Sequence, residues 1–204
     1  MTQTTQRLQL VAGHLALDFA NTLDNRYDRE RLEDLLPTYE RFLAFTQQAG
    51  IITRGQQRTL LEGTKEREAR QALCKAIELR EALYLLFSSV ATGSQPNRSA
   101  LRTLNRFLEH GRIANTVEWR NAVFVGGRRD LTERPDGPLW PIIVAAVDLL
   151  TSPGRRHIRE CSEGTCRWLF LDRSKNHSRL WCDMRVCGNR SKARRFYARQ
   201  QDCA

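Results

Sequence analysis

Apolar residues recur at three- and four-residue steps through most of residues 1–150, which is the period of amphipathic α-helices. The clearest case is REARQALCKAIELREALYLLFSSV, where the recurring residues are Leu73, Ile77, Leu79, Ala82, Leu83 and Leu86. The pattern stops at TGSQPN, a cluster of loop-forming residues. Cys74 falls inside this helical pattern, so we expect it to be a small core residue.

Start and stop signals predict helices before this segment. PTYERFLAFTQQAG opens with Pro37 and Thr38 and closes with Gly50, and Thr53 is placed to cap a third helix. HLALDFANTL predicts two different structures. Its early part alternates like a strand, and its later part fits a helix that begins at Asp18. These signals predict a helical first half of the chain.

Patterns after this segment predict a small β element between two more helices. RSALRTLNRFLEHG predicts a helix that ends at Gly111. NTVEWRNAVFVGG alternates with period two, which predicts two short strands that turn at Arg120 and Asn121. LWPIIVAAVDLL is apolar nearly all round, so we expect a helix in the core. The fold class is therefore mainly α, with a small β-hairpin in the helical part.

Positive charge is concentrated at the end of the chain. The whole sequence holds 33 Lys and Arg against 23 Asp and Glu, a formal net charge of +10. Residues 155–204 hold 13 of the basic and 5 of the acidic residues, so most of the excess lies in the last quarter. A near-neutral body with a basic end favours an appendage that binds a polyanion, although a solvated basic face would have the same composition.

The sequence also excludes several classes of protein. No apolar run reaches the length of a membrane-spanning helix, and the first residues lack the pattern of a signal peptide. We therefore expect a soluble cytoplasmic protein without a membrane partner. No Ser/His/Asp set, phosphate loop or open metal site is recognisable, so we expect a binding protein and not an enzyme.

Four of the six cysteines form two close pairs with the spacing C-x4-C-x15-C-x4-C, namely Cys161, Cys166, Cys182 and Cys187. Two pairs separated by a longer loop suit one tetrahedral ion, and four sulfurs favour zinc or an iron–sulfur centre. We expect one structural Zn²⁺ per chain, because four thiolates close the coordination sphere and nothing suggests electron transfer. The alternatives are buried thiols without metal and, less favoured in a cytoplasmic protein, disulfides.

The residues around the cysteines predict a small fold that depends on the metal. CRWLFLD predicts a short strand, and a module of this size should take much of its folding free energy from the ion. His157 and His177 could each replace one sulfur, but four cysteines already complete a set. Gly188, directly after Cys187, is expected to adopt a positive φ and let backbone amides approach the sulfur.

A basic helix is predicted from Asn189 onward, in NRSKARRFYARQ. Ala193, Phe196 and Tyr197 share a face that we expect to dock on the metal module. The candidate nucleic-acid contacts are Arg179, Arg185, Arg190, Lys192, Arg194, Arg195 and Arg199. A helix fixed by a metal site suits the major groove or the phosphates of duplex DNA. The alternatives are a solubilising helix, an RNA-binding surface with aromatic stacking platforms, and a module that binds another protein.

At these residues the sequence resembles the CGNR zinc-finger family. Residues 187–190 spell the tetrapeptide that names the family, and the flanking matches are Phe170, Asp172, Ser174, Trp181, Met184, Lys192 and Arg194. Upstream, LDF followed by NT, and LREAL, resemble the ABATE domain normally paired with this finger. The resemblance implies four cysteine ligands to zinc and a bacterial, stress-induced transcriptional regulator, with RNA binding also suggested. The family often has an arginine directly before Trp181, where this chain has Leu180 and places Arg179 one residue earlier.

The chain thus divides, at TSPGRR, into a helical ABATE-like regulatory domain over residues 1–154 and a CGNR-type zinc-finger module over 155–204. Asp18, Asn21 and Thr22 form a polar trio beside apolar residues. They could line a pocket for a small-molecule effector, with Arg80 as an anion partner, or cap a helix and satisfy buried backbone groups. A homodimer would match two DNA half-sites, although no residue demands one.

Overall fold

The computed structural model describes residues 8–111, 115–120, 123–128 and 130–201, with the backbone alone at residues 110, 111, 115–120, 123–128, 195, 197–199 and 201. Within these ranges the chain forms seven α-helices and three two-stranded antiparallel pairs. The predicted fold class, mainly α with small β elements and a cysteine-rich C-terminal module, is confirmed. Among the described residues no helix is both long enough and apolar enough to cross a membrane.

The elements follow one another with short connections. Helices α1 to α7 span Leu15–Ala20, Tyr39–Gln48, Arg54–Gly63, Glu66–Thr92, Arg98–Gly111, Leu139–Thr151 and Asn189–Gln201. Strands β1 to β6 span Leu23–Asp24, Glu33–Asp34, Asn115–Arg120, Val123–Arg128, Ile158–Glu160 and Leu169–Leu171. A 3-10 helix at Pro153–His157 and a π-helix at Met184–Gly188 complete the described elements. The pairs are β1 with β2, β3 with β4 and β5 with β6.

Helix α4 is the central element of the body, and α1, α2, α5 and α6 all contact it. Ala72, Ala76 and Leu79 lie on its buried face. Cys74 is exposed, so the expectation of a core residue is wrong. Two residues along a helix correspond to a rotation of about 200°, which places position 74 opposite its buried neighbours at 72 and 76.

The predicted helix boundaries are confirmed at α2 and α3 but not at α1. The side chains of Thr38 and Thr53 accept hydrogen bonds from the first turns of α2 and α3, and Gly50 follows α2 with a φ of +74°. Helix α1 instead begins after His14, where a strand was expected, and Asp18 lies inside it. Alternation over so few residues fits both periods, so the sequence could not distinguish them.

The strands of the cysteine module share their core with the helical body. Ile158, Leu169 and Phe170 are fully buried in the same apolar cluster as residues of α1 and α4. Strand β6 pairs with β5 on one side. Its remaining backbone groups are satisfied by the body, where the N–H of Leu171 donates to the carbonyl oxygen of Ala12 at 2.8 Å. These contacts cross the division predicted at residue 154, which stays a prediction.

The side chain of Asn21 takes the place of a neighbouring strand beside β6. Its Nδ2 donates to the carbonyl oxygen of Leu169 at 2.8 Å, and the N–H of Leu169 donates to its Oδ1 at 2.9 Å. All of these groups are buried, although the two residues are 148 positions apart. One amide side chain therefore completes the β6 edge and fixes the module to α1.

We expect Asn21→Ala to lower the free energy of unfolding of the zinc-loaded protein by about 2–4 kcal/mol, because both backbone groups of Leu169 would be buried without a partner. Urea unfolding followed by circular dichroism measures this change. Asn105→Ala, at an exposed position of α5, is the matched control and should change the free energy by less than about 0.5 kcal/mol. Equal effects at the two positions would contradict the assignment.

Candidate metal centre and basic helix

The first cysteine pair is held by a tight loop between β5 and β6. The N–H of Cys161 donates to the carbonyl oxygen of Trp168 at 2.8 Å, so the strand pairing continues to the first sulfur ligand. The N–H groups of Cys166 and Arg167 both donate to the carbonyl oxygen of Glu163, at 3.0 and 3.1 Å. Arg167 then adopts a φ of +50°, a left-handed conformation that turns the chain into β6 and that non-glycine residues rarely adopt.

A π-helical turn holds the second pair. The carboxylate of Asp183 accepts the N–H of Arg185 at 2.6 Å, and its carbonyl oxygen accepts the N–H of Cys187 at 2.9 Å. Gly188 lies in this turn and does not have a positive φ, so that expectation is wrong. A Cβ at this position would collide with the sulfur of Met184. Glycine at this position therefore leaves room for the Met184 side chain, which is exposed and would have to move to admit a larger residue.

The four sulfurs form a cage of the size that zinc needs. They all lie within 4.8 Å of one another, and all four cysteines are buried. The Cys166–Cys182 and Cys182–Cys187 sulfur separations are both 3.6 Å. A tetrahedron with zinc–sulfur bonds of about 2.3 Å has edges of about 3.8 Å, so these cysteines fit the ion.

The two histidines lie outside this cage. Among the described residues no histidine or carboxylate joins the sulfur group. The rings of His157 and His177 stack on each other with centroids 3.8 Å apart, and His177 Nδ1 is hydrogen-bonded to the carbonyl oxygen of Asp172 at 3.0 Å. They therefore support the loop that connects the two cysteine pairs.

The cluster cannot carry four negative charges by itself. The hydrogen bond from Cys166 lowers the pKa of Cys161, whereas hydrogen bonding with Cys161 raises the pKa of Cys166 and of Cys182. The pKa of Cys187 is also lowered, although hydrogen bonding with Cys161 opposes this shift. Protons are therefore shared unequally among the four sulfurs, and a divalent cation removes this competition by holding all four as thiolates. The backbone N–H groups of Cys182 and Trp168, which donate to the sulfurs of Cys161 and Cys166, favour the same form.

Asp172 organises the loop between the two pairs. It is 1% exposed and accepts hydrogen bonds from the N–H and Oγ of Ser174, at 2.9 and 2.6 Å, and from the N–H of Arg179 at 2.9 Å. Burial alone would raise the pKa of Asp172, but the hydrogen bonds outweigh it and hold the pKa below its usual value. Asp172 and Ser174, two of the residues that match the family, therefore hold this loop in one conformation.

Two of the predicted nucleic-acid residues are engaged within the module. The guanidinium of Arg179 lies 4.6 Å from the ring centre of Phe170 and donates to the carbonyl oxygen of Cys182. Arg194 of α7 forms an ion pair with Glu163, whose side chain is only 1% exposed, in the loop of the first cysteine pair. Both arginines therefore hold the module together, and their contact with nucleic acid stays a prediction.

The other predicted cations differ in environment. Arg185, Arg190 and Lys192 are exposed, and their side chains form no hydrogen bond or ion pair within the described part of the chain. Arg195 and Arg199 belong to α7, but their side chains lie outside the described residues. The structure thus places three cations at the surface directly beside the zinc ligand Cys187.

The expected docking face of α7 is wrong for the residues that the structure describes. Ala193 and Phe196 are exposed, and Tyr197 lies outside the described side chains. Helix α7 instead continues directly from the π-helix and is tied to the first cysteine loop by Arg194. Within the described side chains, an ion pair therefore attaches α7 to the loop of the first cysteine pair.

The polar trio makes contacts within the protein. Asn21 holds β6, and the Oγ1 of Thr22 donates to a carbonyl oxygen of α1 at 2.8 Å. Arg80 forms an ion pair with Asp34 at 2.6 Å. Asp18 accepts the N–H of Ala12 at 2.9 Å, and burial raises the pKa of Asp18 to about 6. These contacts are those of the structural alternative, while an effector pocket at these residues stays a prediction.

Sequence reasoning missed a polar network that fastens the module to the body. Ser88 donates to Glu160 at 3.1 Å, and the hydroxyl of Tyr84 donates to the carbonyl oxygen of Arg167 at 3.3 Å. The guanidinium of Arg167 pairs with Glu160 and lies 4.7 Å from the ring centre of Tyr27. The sequence offered one signal for this network, which is that Glu160 is an isolated acidic residue within a basic segment.

Two family models match the chain. The model described as "Putative stress-induced transcription regulator", ABATE, matches residues 13–153, and the one described as "CGNR zinc finger" matches residues 157–200. None of the curated proteins matches it. The sulfur cage lies within the second matched range, so the predicted cofactor, one structural zinc ion per chain, is confirmed.

We expect Cys182→Ser and Cys187→Ser each to abolish zinc binding and unfold the C-terminal module, because a serine hydroxyl is a poor substitute for a thiolate ligand. Elemental analysis by mass spectrometry should find one zinc per wild-type chain and almost none in either variant. Cys74→Ser, at an exposed position of α4, is the control and should retain the metal. A metal-free wild-type chain with a folded module would refute this expectation.

Burial of Asp18 predicts a pH-dependent stability. Its pKa in the folded chain is about 6, above the ordinary value of 3.8, so the folded state binds more protons between these values. The favourable contribution is therefore fully present below the ordinary pKa and is lost as the pH rises through the folded pKa. From about pH 5 to about pH 7, we expect wild-type stability to fall by about 1 kcal/mol relative to Asp18→Asn.

Urea unfolding with excess zinc measures this difference, and Glu62→Gln is the control. Glu62 is an exposed acid of α3, so its substitution should leave the pH dependence of the wild type unchanged. Parallel stability curves for the wild type and Asp18→Asn would mean that Asp18 titrates at its ordinary pKa.

Proposed function

The chain belongs to the ABATE family and carries a CGNR zinc finger, and from this premise we propose that it is a DNA-binding, stress-induced transcriptional regulator of bacterial type. The observation that carries the proposal is the exposed group of Arg185, Arg190 and Lys192 around the zinc ligand Cys187. In this proposal the zinc ion is structural and the protein binds without catalysing, because four cysteines fill the coordination sphere.

Zinc would fix the position of these three cations relative to the body. They lie within residues 185–192, on the π-helix and the first turn of α7, and Cys187 stands between them. Their side chains have no acidic partner within the described part of the chain, so phosphate groups can pair with them without displacing one. Binding a polyanion would also relieve their mutual repulsion.

Helix α7 has the dimensions of a groove-binding helix. It has 13 residues and is therefore about 20 Å long, which exceeds the major-groove width of about 12 Å. The pair of Arg194 with the buried Glu163 sets its direction relative to the cysteine cage. A helix fixed in this way loses less conformational entropy on binding than a mobile tail would. A homodimer would place two such helices on successive half-sites.

RNA is a second candidate ligand, favoured by one observation. Phe196 on α7 is 59% exposed, and an aromatic ring beside cations is a platform for an unpaired base. Competition between duplex DNA and single-stranded RNA of equal length distinguishes the candidates. The proposal expects duplex DNA to displace the RNA, and the reverse preference would favour an RNA-binding role.

We expect the double variant Arg190→Ala/Lys192→Ala to bind duplex DNA roughly tenfold or more weakly at about 0.1 M salt, because two phosphate contacts are lost. The slope of log K against log salt should decrease in magnitude by about 2. Fluorescence anisotropy over a salt series measures both quantities.

The control is Arg98→Ala/Arg102→Ala, which removes two exposed cations from α5 of the body. This variant has the same net charge as the first and should keep nearly wild-type affinity and slope. Equal losses in the two double variants would show nonspecific attraction by net charge. No affinity of the wild type for duplex DNA or RNA even at low salt would refute the proposed function.

A further inference from the structure

A cleft of about 920 Å³ lies between the helical body and the zinc finger. The body contributes residues of β1, β2, α2 and α3 to its lining, and the finger contributes Trp168, Val186 and Arg190. Its volume is within the range typical of small-molecule sites. Asp18, Asn21, Thr22 and Arg80, the residues that the sequence suggested for an effector, are not among those that line it.

Carboxylates dominate the charged part of the lining. Asp24 and Glu33 are direct partners in the β1–β2 pair, and Glu40 is in the first turn of α2. Like charges directly opposite each other destabilise a strand pair, and within the described residues none of these three acids forms an ion pair. A fourth acid in the lining, Asp34, is already paired with the buried guanidinium of Arg80.

Two arginines share the lining, so the three acids without an ion pair leave an excess of negative charge. This excess is opposite in sign to the net charge of the whole chain, which is +10. The negative lining of the cleft therefore attracts cations, although the net positive charge of the protein repels them. A cation bound there would relieve the repulsion between Asp24 and Glu33.

Trp168 supplies an aromatic surface in the same cleft. It is 6% exposed, and its indole N–H is buried without a hydrogen-bond partner among the described residues. That N–H is inaccessible and can only donate, so the part of Trp168 that a cationic ligand can contact is its ring. Tryptophan is also the strongest aromatic partner for a cation. Leu61 and Val186 add apolar surface, and both are partly exposed.

We propose that this cleft binds an amphipathic organic cation, whose charge lies against Asp24, Glu33 and Glu40 and whose apolar part lies against Trp168, Val186 and Leu61. Such a ligand contacts the body and the finger together. The inference does not depend on nucleic-acid binding, and its test requires no nucleic acid.

Isothermal titration calorimetry of the zinc-loaded protein with tetraphenylphosphonium, compared with tetraphenylborate in sodium buffer, tests the proposal. The two ions have nearly the same shape and opposite charges. We expect the phosphonium to bind more tightly, although the net positive charge of the protein would favour the borate at any nonspecific site. Glu33→Gln/Glu40→Gln should weaken phosphonium binding about three- to tenfold, since two attractive charges are removed while the shape is kept.

Glu62→Gln removes an exposed carboxylate of α3 that does not line the cleft, and it should leave phosphonium affinity unchanged. Three results would overturn the proposal. They are no phosphonium binding, equal or tighter binding of the borate, and a loss in Glu33→Gln/Glu40→Gln no greater than in Glu62→Gln.

Discussion

Four buried sulfurs lie within 4.8 Å of one another, so they repel one another when they are thiolates. Without a metal some of them must stay protonated, whereas a divalent cation holds all four as thiolates. The rest of the C-terminal module depends on this interaction. The first pair sets the turn into β6, and the second pair sets the π-helical turn from which α7 continues. The exposed cations around Cys187 are fixed in space because this one ion holds their backbone.

Zinc alone does not position the module, because the helical body holds the same strand from the other side. Asn21 and Ala12 satisfy the backbone of β6, while its apolar side chains enter the core of the body. Arg167 adopts a left-handed conformation between a zinc ligand and this strand, and the body residues Tyr84 and Tyr27 contact it. Metal binding and packing against the body therefore stabilise each other, which would let a change in the body alter the presentation of α7.

The sequence predicted the features whose causes are local. The two cysteine pairs predicted the cage because ligand spacing is a short-range property, and Thr38 and Thr53 predicted helix starts because capping involves residues three apart. The long-range polar contacts could not be read in the same way, since nothing near Asn21 indicates a partner 148 residues away. The prediction of a positive φ at Gly188 was wrong because glycine serves two purposes that look alike in a sequence. It allows a left-handed backbone conformation, and it leaves room for a neighbouring group.

Zinc K-edge X-ray absorption spectroscopy on the purified protein tests the four-cysteine site directly, because it reports which atoms are bound to the metal. We predict four sulfur neighbours at about 2.3 Å and no nitrogen or oxygen atom bound to the metal. A shell that contained imidazole nitrogen, water oxygen or fewer than four sulfurs would contradict a closed four-cysteine site and the position of α7 that depends on it.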